Sequence, residues 1–277
     1  MGDLSMRITA SKKLYYYLIL TISALLIVFP ILFAVLLSFS NNRDIMNGIY
    51  IPGSISFANF ENAMNAQPLL HYIFNSFIVA SLEVVLTIIL SLLAAYAFVF
   101  IKFKGRNFFF WLFMATMMIP MEVLIVSNFH TIRSFGMLNT YIGLILPGLA
   151  STFGIFLLRQ NFKQIPFELK EANDIAGLGD FQFLRKIVIP MAKNAIFTLA
   201  IYNFLVSWNS YMWPLLSTTN ETVRTVQIGL RQLKATEGVS DYGMITAAAL
   251  IVALPTLFII IFGQSRLQEG LAKGAIK

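Results

Sequence analysis

Apolar residues in this chain are gathered into six long runs, and short polar segments separate one run from the next. A helix needs roughly 20 residues to cross about 30 Å of hydrocarbon, and each run is about that long or longer. The pattern therefore predicts an all-α, polytopic membrane protein with one transmembrane domain over residues 1–277. The six predicted spans are 14–39, 73–101, 108–126, 140–158, 195–216 and 243–263.

The composition agrees with a membrane protein and excludes several classes of chemistry. Hydrophobic residues make up 58% of the chain and charged residues 12%, against about 45–50% and about 25% in soluble domains. The chain has no cysteine, which excludes thiolate catalysis and Cys-based metal sites. Its two histidines, His71 and His130, make a multi-histidine metal centre or a membrane-embedded hydrolase a poor interpretation.

The basic residues are distributed unequally between the two sides of the predicted bundle. Of the 20 Lys and Arg residues, 15 lie at the two termini and in the second and fourth connections, and five lie in the remaining connections. Connections rich in Lys and Arg remain in the cytoplasm. The distribution therefore predicts that both termini and the long fourth connection, residues 159–193, are cytoplasmic.

The fourth connection is the most informative segment, because it has more structure than a solvated loop needs. Its pattern predicts a first helix between Pro166 and Gly177, and a second helix that Asp180 caps and Pro190 ends. Large apolar residues such as Phe181 and Phe183 stand in the second helix. These side chains pack either on the membrane face of their own bundle or on a partner protein.

A motif in this connection resembles the EAA loop of ABC-importer permeases. The family pattern is E-A-A, three residues, G, nine residues, and I-x-L-P. The chain has Asn173 in place of the second Ala and Ile189 in place of Leu. The residues that match at the family spacing are Glu171, Ala172, Gly177, Ile187 and Pro190.

Further segments are similar to the carbohydrate-uptake subfamily of these permeases, and they extend over nearly the whole chain. They are Phe74-Asn75-Ser76, residues 119–123, Leu138-Asn139-Thr140-Tyr141, residues 208–214 and residues 270–277.

The resemblance implies a MetI-like permease fold and a transport subunit rather than an enzyme. It implies a prokaryotic cytoplasmic membrane protein surrounded by lipid, with a second permease subunit, an extracytoplasmic solute-binding protein and a cytoplasmic ATPase dimer as partners, and no nucleic acid. ATP and Mg²⁺ would be held by the ATPase, with no cofactor in this chain, which has no G-x-x-x-x-G-K-[ST] phosphate loop. The solute would be a carbohydrate or sn-glycerol-3-phosphate. The residues implied in coupling to the ATPase are Glu171, Ala172, Gly177, Phe181, Phe183 and Pro190.

Polar and aromatic residues within the spans are candidates for the translocation pathway. In the fifth run, Asn203, Ser207 and Ser210 recur at helical spacing and predict one polar face. Aromatic residues nearby would either contact a sugar or form a belt at the membrane interface. The pathway candidates are Glu122, Asn203, Ser207, Trp208, Asn209 and Tyr211.

An acidic residue within the second run leaves one alternative function open. Glu83 is either a structural residue, hydrogen-bonded to another helix, or a functional carboxylate. In the second case the chain would be a stand-alone secondary transporter, driven by protons through Glu83 and Glu122. That class of transporter would leave the apolar cytoplasmic connection unexplained.

Overall fold

The computed structural model of this chain describes residues 10–235 and 241–275, all helix, turn or loop with no strand in those ranges. The basic residues Arg7 and Lys277, and the end of the 270–277 motif, lie outside the described residues. Fifteen α-helices are present in the described ranges. In chain order they are α1 Ala10–Ser38, α2 Asn42–Met46, α3 Ala58–Ala66, α4 Leu69–Phe100, α5 Arg106–Thr116, α6 Met121–Ser134, α7 Tyr141–Ile145, α8 Thr152–Phe162, α9 Glu168–Ile175, α10 Asp180–Phe183, α11 Ile189–Met191, α12 Lys193–Trp208, α13 Met212–Ser217, α14 Val226–Ala235 and α15 Tyr242–Ala275.

Three of the predicted spans are continuous helices. They are α1, α4 and α15, and each is long and apolar enough to cross a membrane. Pro30 and Pro255 lie inside α1 and α15 without ending them. The most apolar part of α1 has no buried residues, so only lipid or another subunit would cover it.

The other three predicted spans are not single straight helices. Each overlaps a pair of helices that is bent by more than 40° and that, taken together, is long and apolar enough to count as one span. The run at 108–126 is broken before Pro120 into α5 and α6, which differ in direction by 97°. The run at 140–158 bends by 52° between a 3₁₀ turn at Leu146–Gly148 and α8. The run at 195–216 stops at Trp208, and α13 starts after a three-residue break. Proline explains the first break, because it lacks an N–H and holds the preceding residue away from helical geometry.

The chain divides into two compact units, residues 1–67 with 232–251 and residues 68–231 with 252–277. In the first unit, the buried Asn59 is the main polar link. Its amide donates to the carbonyl oxygens of Ser38 at 2.9 Å and Ser40 at 2.8 Å. A Cβ at Gly243 would lie 2.6 Å from the Asn59 amide nitrogen, so a glycine is needed where α15 begins.

In the second unit, α8 and α12 pack against α4 and form the principal hydrophobic core. Gly154 of α8 lies where the three helices meet. A Cβ at this position would be 2.5 Å from the hydroxyl of Ser91 and 3.2 Å from both methyl groups of Leu199. The glycine therefore sets how closely α8 approaches α4 and α12.

Two of the motifs that resemble the permease family form a clamp on the 218–226 segment. The Asn75 amide donates to the carbonyl oxygens of Thr222 and Arg224 at 3.0 and 2.9 Å, while the Tyr141 hydroxyl donates to the Asn75 side-chain oxygen at 2.7 Å. Asn139, whose φ is +58°, accepts the backbone N–H of Thr219 at 2.7 Å. These motifs therefore hold the connection between α13 and α14 in place.

Replacing Gly154 with leucine is expected to destabilise the second unit, because the added side chain overlaps Ser91 and Leu199. Overpacking of a tight contact costs about 1–3 kcal/mol. Thermal unfolding of the purified protein in detergent should show a clearly lower midpoint. The matched control is Gly53→Leu, because a Cβ at Gly53 meets no atom within 4 Å. Equal midpoints for the two variants would contradict this account of the packing.

Candidate functional site: a coupling loop and a half-pathway

The first helix of the fourth connection is α9, and it ends as the sequence predicted. Glu168 and Glu171 lie in its first turn, where the helix dipole favours acidic groups. Gly177 has a φ of +69°, a left-handed conformation that glycine adopts at the lowest cost. The Leu178 N–H donates to the Asn173 carbonyl at 3.0 Å, and the Asn173 amide donates back to the Leu178 carbonyl at 2.8 Å. The reversal of the chain after α9 is thus fixed by hydrogen bonds.

The second helix differs from its predicted form at its start. Gly179 stands at the cap position, and no side-chain cap is present, so the prediction that Asp180 caps the helix is wrong. The helix continues through a π-helical turn at Leu184–Val188 and α11, in which Pro190 occupies the first turn. The helix ends at Met191, one residue after Pro190. The chain bends by 79° only after Met191, before α12 begins.

The Asp180 carboxylate instead joins the loop to α4. Its oxygen accepts a hydrogen bond from the Tyr96 hydroxyl at 2.7 Å and lies 3.1 Å from the Lys170 ammonium nitrogen. Lys170 also pairs with Asp174 one turn along α9. The Tyr96 hydroxyl and then Lys170 lower the pKa of the Asp180 carboxyl, while the bond to Asp174 raises the pKa of Lys170.

The residues predicted to couple to the ATPase divide into an exposed and a buried set. Phe181 is 70% exposed, whereas Phe183 is completely buried and stacks edge-on against Phe100 at 5.2 Å. Phe183 is therefore part of this subunit's own core, and its prediction as a partner-facing anchor is wrong. The predicted coupling residues that remain exposed are Glu171, Ala172, Gly177, Phe181 and Pro190.

The loop also exposes apolar residues that sequence reasoning missed. Ile175 is 88% exposed at the end of α9, and Phe167 is 47% exposed just before it. Phe167, Glu171 and Ile175 are four residues apart, so helical spacing alone places them on one side of α9. The spacing does not indicate which side of α9 faces the core. We call the exposed set of Phe167, Glu171, Ala172, Ile175, Gly177, Phe181 and Pro190 the loop face.

Within the spans, Glu83 takes part in a contact among three elements. The Ser207 hydroxyl donates to a Glu83 carboxyl oxygen at 2.6 Å. A Cβ at Gly148 would lie 2.0 Å from the other carboxyl oxygen, so the glycine makes room for the carboxyl group. Of the two interpretations left open by the sequence, this geometry is that of an interhelical hydrogen bond.

Only two of the three residues predicted to form one polar face, Asn203 and Ser207, lie on the same helix. Because α12 ends at Trp208, Ser210 lies outside the helix that carries Asn203 and Ser207. Trp208 is 1% exposed, and its indole N–H donates to the Val252 carbonyl at 3.2 Å. Trp208 is thus a core residue instead of a pathway or interface residue, which corrects the prediction.

The remaining candidates are separated further by the fold. Asn209 is exposed, and its amide donates to the Leu205 carbonyl at 2.7 Å. The amide nitrogen of Asn203 is buried and has no hydrogen-bond partner. The break after Trp208 brings Tyr211 and Ser210 beside Glu122 at the start of α6. They line a cavity of about 290 Å³ together with Asn128, Pro147 and five further residues. These five are Met121, Ile125, Val206, Met212 and Trp213.

The geometry defines a helical membrane subunit with a structured connecting loop, and comparisons with known proteins place it in a family. Residues 87–268 match the family described as "Binding-protein-dependent transport system inner membrane component". The chain belongs to this family and is an integral membrane permease subunit of an ABC importer, a transport component.

The relatives cover almost the whole chain. The sn-glycerol-3-phosphate transport system permease protein UgpE of Agrobacterium fabrum is 33% identical over 93% of this chain and 95% of its own length. The protein of the same name from Brucella abortus is 34% identical over 95% of this chain and 96% of its own length.

A solved structure shows that the fold is also shared. A chain of a bacterial ABC transporter involved in the import of the acidic polysaccharide alginate superposes with a TM-score of 0.83. It is 23% identical, and the match covers 95% of this chain and 99% of that one. The predicted MetI-like permease fold is thereby confirmed.

Replacing Glu83 with glutamine is expected to preserve uptake, because the amide oxygen can still accept the Ser207 hydroxyl. Glu83→Ala removes the acceptor and leaves a gap beside Gly148, which costs about 1–3 kcal/mol. Solute uptake by cells carrying the assembled transporter, with thermal unfolding of the purified complex, measures both effects. Loss of uptake in Glu83→Gln with unchanged stability would show instead that the acid itself is needed, as proton coupling requires.

Proposed function

We propose that this chain forms half of the translocation pathway of a binding-protein-dependent importer in the prokaryotic cytoplasmic membrane, with both termini and the 159–193 loop in the cytoplasm. A second permease subunit supplies the other half. ATP and Mg²⁺ are bound by a separate cytoplasmic ATPase dimer, and an extracytoplasmic binding protein delivers the solute. The excess of Lys and Arg on the loop side supports this orientation.

The observation that carries the proposal is the loop face. It combines strongly exposed apolar side chains, Ile175 and Phe181, with the acidic first turn of α9. Exposed large apolar groups on a loop outside the membrane are costly in water and are typical of an interface. Phe183, which is buried in the core, and the hydrogen-bonded turn at Gly177 order the loop before a partner binds. An ordered surface reduces the cost of ordering on binding.

The proposed solute is a small polyhydroxylated molecule, either a carbohydrate or sn-glycerol-3-phosphate. The names of the relatives support the second choice. The cavity beside Tyr211 offers hydroxyl, amide and aromatic groups, which suit a polyol, and its only charged lining residue among those described is Glu122. A phosphate group would therefore need its cationic partner from the second permease or from the binding protein.

An acidic residue placed on the loop face should weaken the association with the ATPase. Ile175→Asp and Phe181→Asp are exposed positions, so both variants are expected to insert normally and to lose most of the co-purifying ATPase. The measurement is affinity purification from native membranes in mild detergent, followed by quantitative mass spectrometry. Gly177→Asp should have the same effect, since an Asp at φ +69° strains the reversal after α9.

The control is Phe135→Asp, a 66% exposed aromatic at the end of α6, which should retain the ATPase. Stoichiometric ATPase in all three loop variants would refute the docking proposal.

The solute is tested with the binding protein that is captured together with the intact complex. We expect it to bind either sn-glycerol-3-phosphate or a maltose-type sugar in direct calorimetric titration. Binding of neither compound, with binding of an amino acid or a metal ion instead, would overturn the solute class while leaving the permease assignment in place.

A further inference from the structure

A side-chain link joins the cytoplasmic loop to α4, although the two are far apart in the sequence. Tyr96 of α4 and Asp180 of α10 are 84 residues apart, and their hydrogen bond is 2.7 Å long. The loop is otherwise connected through the chain to α8 before it and α12 after it. The second span has no covalent connection of its own to the loop.

We propose that Asp180 is the positioning residue through which movement of α9 is transmitted to α4. This inference rests on the proposed function, in which an ATPase moves the loop. It adds a specific route that passes from Lys170 on α9 to Asp180 on α10 and then to Tyr96 on the second span.

The first part of the route makes α9 and α10 one rigid body. Gly177 and Gly179 separate these helices. The Asn173–Leu178 hydrogen bonds fix the turn at Gly177, but they do not extend to Gly179, which precedes α10. The Lys170 ammonium bridges the gap by pairing with Asp180 at 3.1 Å, and its side chain is only 11% exposed. It also lies 5.7 Å from the centre of the Phe183 ring, which adds a cation–π contact.

The second part of the route fastens α10 to α4. The buried Phe183 contacts Tyr96 and Phe100, with ring centres 6.3 and 5.2 Å away, on the same face of α4. This apolar contact holds α10 against α4 but does not fix its position along α4, because dispersion forces are not directional. The charge-assisted bond from Tyr96 to Asp180 fixes the register of α10 along α4.

The charges in the link are present across the neutral range. The pKa of Asp180 is lowered. The stabilisation that its ionised carboxylate provides is therefore present above the ordinary carboxyl pKa and is lost as the pH falls through the lowered value. The pKa of Lys170 is raised, so the stabilisation from its charged ammonium group is lost only as the pH rises through that raised value. Physiological changes of pH therefore leave the link intact.

The test uses the complete complex in liposomes and compares Tyr96→Phe and Asp180→Asn with the unmodified protein. Both changes nearly keep the shape of the side chain. Tyr96→Phe removes the hydrogen-bond donor, whereas Asp180→Asn keeps an acceptor oxygen but removes the charge that strengthens the Tyr96 bond and pairs with Lys170. We expect the ATPase to remain bound in full amount, while solute transported per ATP hydrolysed falls about threefold to tenfold. The lower part of this range allows for solvent screening, because the Asp180 side chain is 58% exposed. Asp180→Glu should restore part of the coupling, and the double variant should be no worse than Asp180→Asn, because Tyr96 acts through Asp180.

The matched control is Asp174→Asn. Asp174 pairs with the same Lys170 but lies within α9, so its loss leaves the connection to α4 unchanged. Normal coupling in Tyr96→Phe and Asp180→Asn, or equal loss in Asp174→Asn, would overturn the proposed route. So would loss of bound ATPase in step with coupling, which would show that the link only supports the fold of the loop. Failure of the unmodified chain to bind any ATPase would instead refute the proposed function.

Discussion

The close packing of α8 and α12 against α4 is the contact on which the second unit depends. It is possible because Gly154 leaves no side chain between α8 and Leu199 of α12 or Ser91 of α4. Lipid tails are as apolar as the side chains themselves, so moving a side chain from lipid to a helix interface gains little free energy. Close backbone approach through small residues therefore provides much of the attraction between helices. The same core continues to the loop, where Phe162 and Phe183 are fully buried together with Phe100. The loop is therefore held by the core of the bundle itself.

Breaks in the predicted spans are compatible with a membrane because nearby side chains satisfy the backbone groups that they free. At the break between the 3₁₀ turn and α8, Ser151 accepts the N–H of Gly154 at 3.0 Å. At the start of the same run, Thr140 accepts the N–H of Gly143 at 3.0 Å. Irregular backbone at membrane depth is tolerated where protein or a water-filled cavity surrounds it. The break that follows α12 has a further consequence, since it places Tyr211 beside Glu122 in the cavity proposed to face the solute.

The loop has two sets of residues, one that attaches it to α4 and one that is exposed to a partner. Phe183 and Lys170 face inward and attach the loop to α4, whereas Ile175 and Phe181 face outward and are available to a partner. An interface that transmits force needs both, because a docking surface on a flexible segment would absorb the movement instead of passing it on. The hydrogen-bonded turn around Gly177 serves the same need by limiting the freedom of the connection between α9 and α10.

The sequence by itself determined the number and position of the apolar runs, the structured connection before the fifth run, the end of α9 at Gly177 and the family. These features depend on composition, local periodicity and residue spacing, which are properties of the chain alone. Only the tertiary structure decided that Phe183 is buried while Phe181 is exposed, that Asp180 binds Tyr96 instead of capping its helix, and that Glu83 bonds to Ser207. Each of these outcomes depends on which residue from a distant part of the chain occupies the neighbouring position, and local spacing contains no information about that neighbour.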